Sequence, residues 1–206
     1  EAGAALNKHV VVGMPSSLTY LFEGQIAALL LAVFGNVDKI ADLGAIAKFG
    51  LIFVVPLAVL KNLLIPRMAT QQNLQQLKKI WVSTSLLAGG ASTVGLALFA
   101  LFAEPLLTLL GPGYSHLRSE MVLFLAFQAC AFFFSVVASP VTARGWVKHS
   151  WMRPAVVITA QCVALPFLDL STVSGAILLA WGGSLGNVAL DMFLLFNGCR
   201  GRGSLN

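Results

Sequence analysis

Six long apolar segments restrict the fold of this chain more than any other feature. Hydrophobic residues make up 58% of the sequence and charged residues only 10%, with a mean hydropathy of +0.86. Because about 20 consecutive apolar residues cross the hydrocarbon core of a bilayer as a helix, the sequence predicts an all-α polytopic membrane protein in which six transmembrane helices form one bundle. The segments are Val10–Phe34, Gly44–Ile65, Trp81–Ala103, Met121–Val141, Pro154–Leu170 and Val173–Phe196.

Positive charges fall almost entirely in alternate connections between these segments. One set of connections and span ends holds Lys8, Lys61, Arg67, Lys78, Lys79, Arg144, Lys148, Arg153, Arg200 and Arg202. The opposite set holds only Lys39, Lys48 and Arg118. Because basic residues are retained on the cytoplasmic side, this asymmetry predicts a multi-pass protein with both termini in the cytoplasm. It also accounts for the net charge of +5 without a nucleic-acid partner, since the basic residues flank spans instead of forming one patch.

The connections carry local structural signals of their own. The polar segment 67–80 places Leu74 and Leu77 at helical spacing, which predicts a short amphipathic helix along the membrane interface. The segment 104–120 contains Gly111-Pro112-Gly113, which predicts a tight turn. Ser171 is a candidate N-cap for the last span.

Polar residues recur on single helical faces within three of the spans. The sets are Ser16, Thr19, Tyr20 and Glu23 in the first span, Gln128, Ser135, Ser139 and Thr142 in the fourth, and Ser184, Asn187 and Asp191 in the sixth. Such faces either surround a water-accessible cavity or form hydrogen bonds between packed helices. For the hydroxyl groups the packing interpretation is favoured.

Charged residues inside spans are the strongest candidates for function, because a charge at membrane depth is costly. Glu23 lies near the middle of the first span, and Lys48, in the outer half of the second, is a candidate partner for it. Asp191 lies towards the cytoplasmic end of its span, where a solvated position and a functional one are both open. Lys61 and Arg67 are interpreted as topology determinants that extend to the headgroups.

The sequence gives little support to an enzyme. The pattern Gly182-Gly183-Ser184-Leu185-Gly186 matches G-x-S-x-G but lies within an apolar span instead of a strand-to-helix turn. The three histidines, His9, His116 and His149, lie at or beyond span ends. No nucleotide-binding loop, H-E-x-x-H or C-x-x-C pattern occurs in the sequence. We therefore expect no catalytic residue, bound metal or organic cofactor.

Three segments together resemble the multidrug/oligosaccharidyl-lipid/polysaccharide exporter superfamily, in particular its bacterial polysaccharide (O-antigen type) flippases. The first is the span pair 13–68, which ends in the sequence IPRM and is followed by Ala69. The second is AEPLLTLLGPGYSHL at residues 103–117, and the third is the basic loop ARGWVKHS at residues 143–150. The resemblance covers most of the chain and is to the second, C-terminal bundle of the two six-helix bundles found in that family.

This resemblance implies a fragment of a longer transporter, partnered by a missing N-terminal half. The complete protein would flip a lipid-linked oligosaccharide or polysaccharide precursor across the bacterial inner (cytoplasmic) membrane by alternating access, driven by a proton or sodium gradient. Lys48 is then the candidate contact for the lipid phosphate and Glu23 the candidate coupling carboxylate. The remaining candidate substrate-binding or coupling residues are Thr19, Tyr20, Gln128, Asn187 and Asp191.

Two other functions remain open from the sequence. A cation-coupled multidrug antiporter of the same superfamily would suit a cavity lined by Glu23 and aromatic side chains. A non-transporting membrane scaffold for glycan assembly would use the polar residues only for packing.

Overall fold

Helices account for nearly all of the described chain in the computed structural model, which describes residues 25–35, 37–146 and 150–201. No β-strand occurs within those residues. The helices are α1 (Gln25–Phe34), α2 (Val37–Thr70), α3 (Leu74–Leu101), α4 (Ala103–Leu110), α5 (Arg118–Val137), α6 (Ser139–Ala143), α7 (Arg153–Ala164) and α8 (Val173–Gly201). Short 3-10 turns cover Pro112–Leu117, Ser150–Met152 and Leu165–Phe167. The predicted all-α class is confirmed.

Four of the described helical segments are long and apolar enough to cross a membrane: Asp38–Thr70, Leu74–Leu101, Gly113–Ala143 and Val173–Gly198. The predicted count of six spans is not confirmed. Most of the first predicted span lies outside the described residues. The fifth is shorter than predicted, because α7 ends at Ala164 and Pro166, which lacks a backbone N–H, sits in a 3-10 turn.

The connection between α2 and α3 differs from the predicted interfacial helix. Helix α2 continues to Thr70 through Pro56 and Pro66, and only residues 71–73 separate it from α3. Asn73 caps α3, because its side-chain oxygen accepts a hydrogen bond of 2.9 Å from the backbone N–H of Gln75. The amphipathic segment is therefore the first two turns of a spanning helix.

The predicted turns are shifted or shortened. The segment 104–120 is largely helical, and between α4 and the 3-10 turn Pro112–Leu117 lies Gly111, whose φ of 130° favours glycine. At the start of α8 the cap is Thr172 and not Ser171, because the Thr172 hydroxyl accepts a 3.0 Å hydrogen bond from the backbone N–H of Gly175. Ser171 instead donates to Asp169.

Helix α5 is the central helix of the bundle. One face of it is buried along its whole length against α2, α3 and α8. That face consists of Met121, Leu125, Ala129, Phe132 and Val136, which recur every three or four residues. Phe53 of α2 contacts the ring of Phe132 with 6.3 Å between centroids. By contrast α3 exposes Leu86, Leu87 and Leu101, as expected for a helix that faces lipid.

The helices α2, α5 and α8 run in one direction, while α3 and α7 run in the other. The bundle therefore has two chemically different ends. One, the basic end, carries Arg67, Lys78, Lys79, Arg144 and Arg153, and there the Arg144 guanidinium donates to the backbone carbonyl of Gln71. The other, the acidic end, carries Asp38, Asp42, Glu104, Glu120 and Asp169.

Candidate functional site

A cavity of about 510 Å³ lies among α2, α5 and α8 and extends towards the basic end of the bundle. Its lining changes along its length. Aromatic and aliphatic side chains line the part nearer the middle of the helices, among them Phe53, Phe127 and Phe132. Polar side chains dominate the part nearer the basic end: Lys61, Ser135, Ser139, Thr142, Arg153, Ser184, Asn187 and Asp191. The charged side chains are thus confined to the part nearer the basic end, while Gln128 adds a polar group beside Phe127.

A salt bridge forms the centre of the polar part. Arg153 Nη2 donates to Asp191 Oδ1 at 2.6 Å, and Nη1 of the same guanidinium lies 3.3 Å from Asn187 Oδ1. Only 21% of the Arg153 side chain and 17% of the Asp191 side chain are exposed. A charge-assisted hydrogen bond in such a shielded position is stronger than the same pair in water. The pair therefore ties the start of α7 to α8 at the cavity wall.

Lys61 supplies a second positive charge to the same part of the cavity. It lies in α2 and lines the cavity together with Asp191 and Arg153. Among the described lining residues, Lys61 and Arg153 are the two cations and Asp191 is the one carboxylate. In their ordinary ionisation states these three groups leave one net positive charge.

Close packing of α7 on α8 places Arg153 opposite Asp191. A Cβ added at Gly186 would lie 3.1 Å from the Ala160 Cβ and 3.2 Å from the Val156 carbonyl oxygen. One turn away, a Cβ at Gly182 would lie 3.2 Å from the Ala164 Cβ. These small residues let the two helix backbones approach closely, as glycine and alanine do in membrane helix pairs.

Gln128 reaches α2 where a glycine leaves room for it. A Cβ added at Gly50 would lie 2.7 Å from Gln128 Nε2 and 3.1 Å from the ring of Phe124. The Gln128 amide therefore lies directly against the α2 backbone while also lining the cavity. A larger residue at position 50 would displace it.

The structure brings together three of the seven predicted site residues. Gln128, Asn187 and Asp191 line the cavity, as do the hydroxyl residues that share their helical faces. Lys48 is exposed and lies outside the described lining. Thr19, Tyr20 and Glu23 lie outside the described residues, so the suggested pairing of Glu23 with Lys48 stays a prediction.

Two cationic residues of the cavity were missed by the sequence analysis. Lys61 and Arg153 were both assigned to topology, because each lies close to the predicted end of a span. Arg153 and Asp191 are 38 residues apart, and no sequence pattern links them. Helical spacing indicates that Lys61 shares a face of α2 with two other lining residues. It lies four residues after Leu57 and four before Ile65, and both of these line the cavity.

The described residues show no group of three or more His, Cys, Asp or Glu side chains suited to hold a metal ion. Ser184, the serine of the G-x-S-x-G pattern, lies inside α8 and lines the cavity, whose described lining includes no histidine. Comparisons with protein-family models, with curated proteins and with solved structures found no match to this chain. Its function is therefore argued from the cavity.

Proposed function

We propose that this chain forms part of a membrane transporter that flips a lipid-linked oligosaccharide or polysaccharide precursor across the cytoplasmic membrane. The observation that carries the proposal is the pair of cations, Lys61 and Arg153, in a cavity that is also lined by aromatic side chains. The proposal also rests on the expectation, drawn from the sequence, that the chain resembles polysaccharide flippases.

The character of the cavity suits an amphipathic anion. A lipid-linked glycan carries its phosphate groups at the junction between an apolar chain and a polar sugar. Here the phosphate would lie near Lys61 and Arg153, with the hydroxyl groups of Ser135, Thr142 and Ser184 in the same lining to meet the sugar. Guanidinium and ammonium groups are the side chains best suited to bind phosphate. In this proposal Lys61 and Arg153 replace Lys48 as the phosphate contacts.

A cationic drug is a less suitable substrate for this cavity. Such a ligand needs a carboxylate that is free to pair with it. Asp191 is the one carboxylate among the described lining residues, and it shares the cavity with two cations, Lys61 and Arg153. The net positive charge would oppose entry of a cationic ligand.

Movement of the substrate is proposed to need a second bundle. The described cavity is bounded on one side by α2, α5 and α8, and alternating access by rocking requires a facing half that closes it. We propose that this half is the N-terminal part of a longer protein, and that a proton or sodium gradient drives the cycle. Glu23 stays the candidate coupling residue.

The proposal is tested by complementation with the full-length gene in a bacterium that lacks its own polysaccharide flippase. Wild type is compared with Arg153→Gln, Lys61→Gln and the control Lys48→Gln, which removes a cation from the same helix but outside the described lining. We expect surface glycan in the wild type and in Lys48→Gln, and at least a tenfold loss in each of the other two variants, equivalent to about 1.4 kcal/mol.

Membrane abundance of each variant is measured by immunoblot, so that loss of function is separated from loss of protein. Full activity in both Lys61→Gln and Arg153→Gln would reject the phosphate-binding role of this cavity. Restored drug resistance in place of surface glycan, in a strain lacking drug efflux pumps, would instead identify a multidrug antiporter.

A further inference from the structure

A second groove, of about 330 Å³, opens at the basic end of the bundle. It lies among the first turns of α3, the short helix α6 and the last turns of α8. Its walls are Leu74, Leu77, Trp81, Pro140, Trp146, Leu195 and Gly198, with Lys78 as the one charged lining residue described. The volume is within the range of small-molecule binding sites, which starts at about 300 Å³.

Two tryptophan rings form walls of this groove, and each is held in place by a specific contact. The indole N–H of Trp81 donates to the backbone carbonyl of Val137 at 2.9 Å. The ring of Trp146 lies against the backbone of α8, because a Cβ added at Gly198 would be only 2.3 Å from ring atom Cδ2. The groove is therefore built into the bundle and does not depend on a flexible side chain.

The charges around the groove favour an anionic ligand. Lys78 lines it, and Arg67, Lys79 and Arg144 lie at the same end of the bundle. Of the acidic residues that the structure describes, only Asp191 lies at this end, and it is paired with Arg153. An anion at Lys78 would therefore meet positive potential without a neighbouring carboxylate to oppose it.

We propose that this groove binds an anionic phospholipid of the surrounding bilayer, with one acyl chain along the tryptophan walls and the phosphate at Lys78. The groove lies at the ends of helices long enough to span the membrane, which places it at the level of the headgroups. Tryptophan and lysine are the residues expected at that depth, and basic pockets between helices there bind anionic headgroups. A soluble anion would gain nothing from the apolar walls.

The two groove tryptophans provide a local probe of lipid occupancy. The full chain carrying Trp151→Phe and Trp181→Phe is reconstituted in nanodiscs with dibrominated phosphatidylglycerol or dibrominated phosphatidylcholine as a minor component. Bromine quenches indole fluorescence on contact. We expect phosphatidylglycerol to quench Trp81 and Trp146 at a lower mole fraction than phosphatidylcholine, and Lys78→Gln to reduce this preference about fivefold.

Lys79→Gln is the matched control, because Lys79 follows Lys78 about 100° further around α3 and lies outside the described groove lining. It should keep the preference, as should Lys78→Arg, which retains the charge. Lys78 is exposed, so the Lys78→Gln variant should unfold at the wild-type temperature. Equal loss of the phosphatidylglycerol preference in Lys78→Gln and Lys79→Gln would show that the preference comes from general surface charge. That result would overturn the proposed site. Equal quenching by both lipids in the parent protein would also overturn it.

Discussion

Arg153 and Asp191 form a shielded salt bridge in which Nη2 and Oδ1 are 2.6 Å apart. The pair joins the first residue of α7 to the cavity-lining face of α8. The contribution of this pair to folding stability can be measured separately from any role in transport. Removing one partner leaves the other charge without its counter-ion in a place where water reaches it poorly.

Asp191→Asn should therefore lower the free energy of unfolding by about 1–3 kcal/mol, less than for a fully buried pair because both side chains keep some exposure. Arg153→Gln should cost less, because Lys61 still supplies a positive charge to the cavity that Asp191 lines. The double variant should lose less than the sum of the two, because neither member of the pair is left without the other. Equilibrium unfolding in mixed detergent micelles measures all three. Strictly additive losses would show that the two groups do not stabilise each other.

Gly186→Val should separate α7 from α8. A Cβ at position 186 is already 3.1 Å from the Ala160 Cβ, and the two valine methyl groups have no space beyond it. Overpacking of this kind costs about 1–3 kcal/mol. Gly90→Val is the matched control, since nothing lies within 4 Å of a Cβ added at Gly90 in α3. Thermal unfolding should show a lower midpoint for Gly186→Val alone, and equal midpoints for the two variants would contradict the close contact.

Trp81→Phe should destabilise the junction of α5 and α6. The α-helix is interrupted there because Pro140 has no N–H, and the indole of Trp81 donates to the Val137 carbonyl beside the break. Without the indole N–H that carbonyl is left unsatisfied, at a cost of about 1–3 kcal/mol.

Trp181→Phe provides the comparison for this change. The indole N–H of Trp181 is buried and has no hydrogen-bond partner among the described residues, so its removal should cost less. Unfolding of the two variants is measured side by side. A loss in Trp181→Phe as large as in Trp81→Phe would mean that ring size, and not the hydrogen bond, sets the cost.

Asp169 should make stability depend on pH at the acidic end. The Ser171 hydroxyl and then the Ser171 backbone N–H donate to its carboxylate, which lowers the pKa of Asp169 below the ordinary value of 3.8. The charged form is the one that the fold favours, so the stabilisation is present above pH 3.8 and is lost as the pH falls through the lowered pKa. Asp169→Ala should therefore be less stable than wild type at neutral pH, and the difference should shrink in acid. A difference that stays constant from neutral pH down to about pH 2 would rule out this linkage.

Much of the helical framework could be predicted from apolar runs alone. The predicted segments 44–65 and 173–196 lie inside α2 and α8, and both helices extend several residues further at the basic end. Polar residues such as Gln71 and Asn73 are typical of a connection, so hydropathy alone ends the predicted segment before α2 does. Capping by Asn73 shows that the connection needs only three residues.

Within the candidate site, helical periodicity predicts some of the cavity-lining residues but not others. Gln128, Asn187 and Asp191 belong to polar helical faces that are evident from the sequence, and they line one cavity. Lys61 and Arg153 stand alone among apolar or basic neighbours, so their sequence context indicates topology as readily as ligand binding. Their proximity to Asp191 depends on how three separate helices pack.

The sequence by itself determined that this chain is helical and suited to a membrane, because the length and hydropathy of each segment are local properties of consecutive residues. It also determined which face of each helix is polar, since that follows from a period of 3.6 residues. Only the tertiary structure decided that Arg153 pairs with Asp191, that Lys61 joins them, and that Trp81 and Trp146 enclose a groove beside Lys78. These contacts join residues far apart in the chain, and they arise from the close packing that small residues such as Gly186 and Gly198 allow.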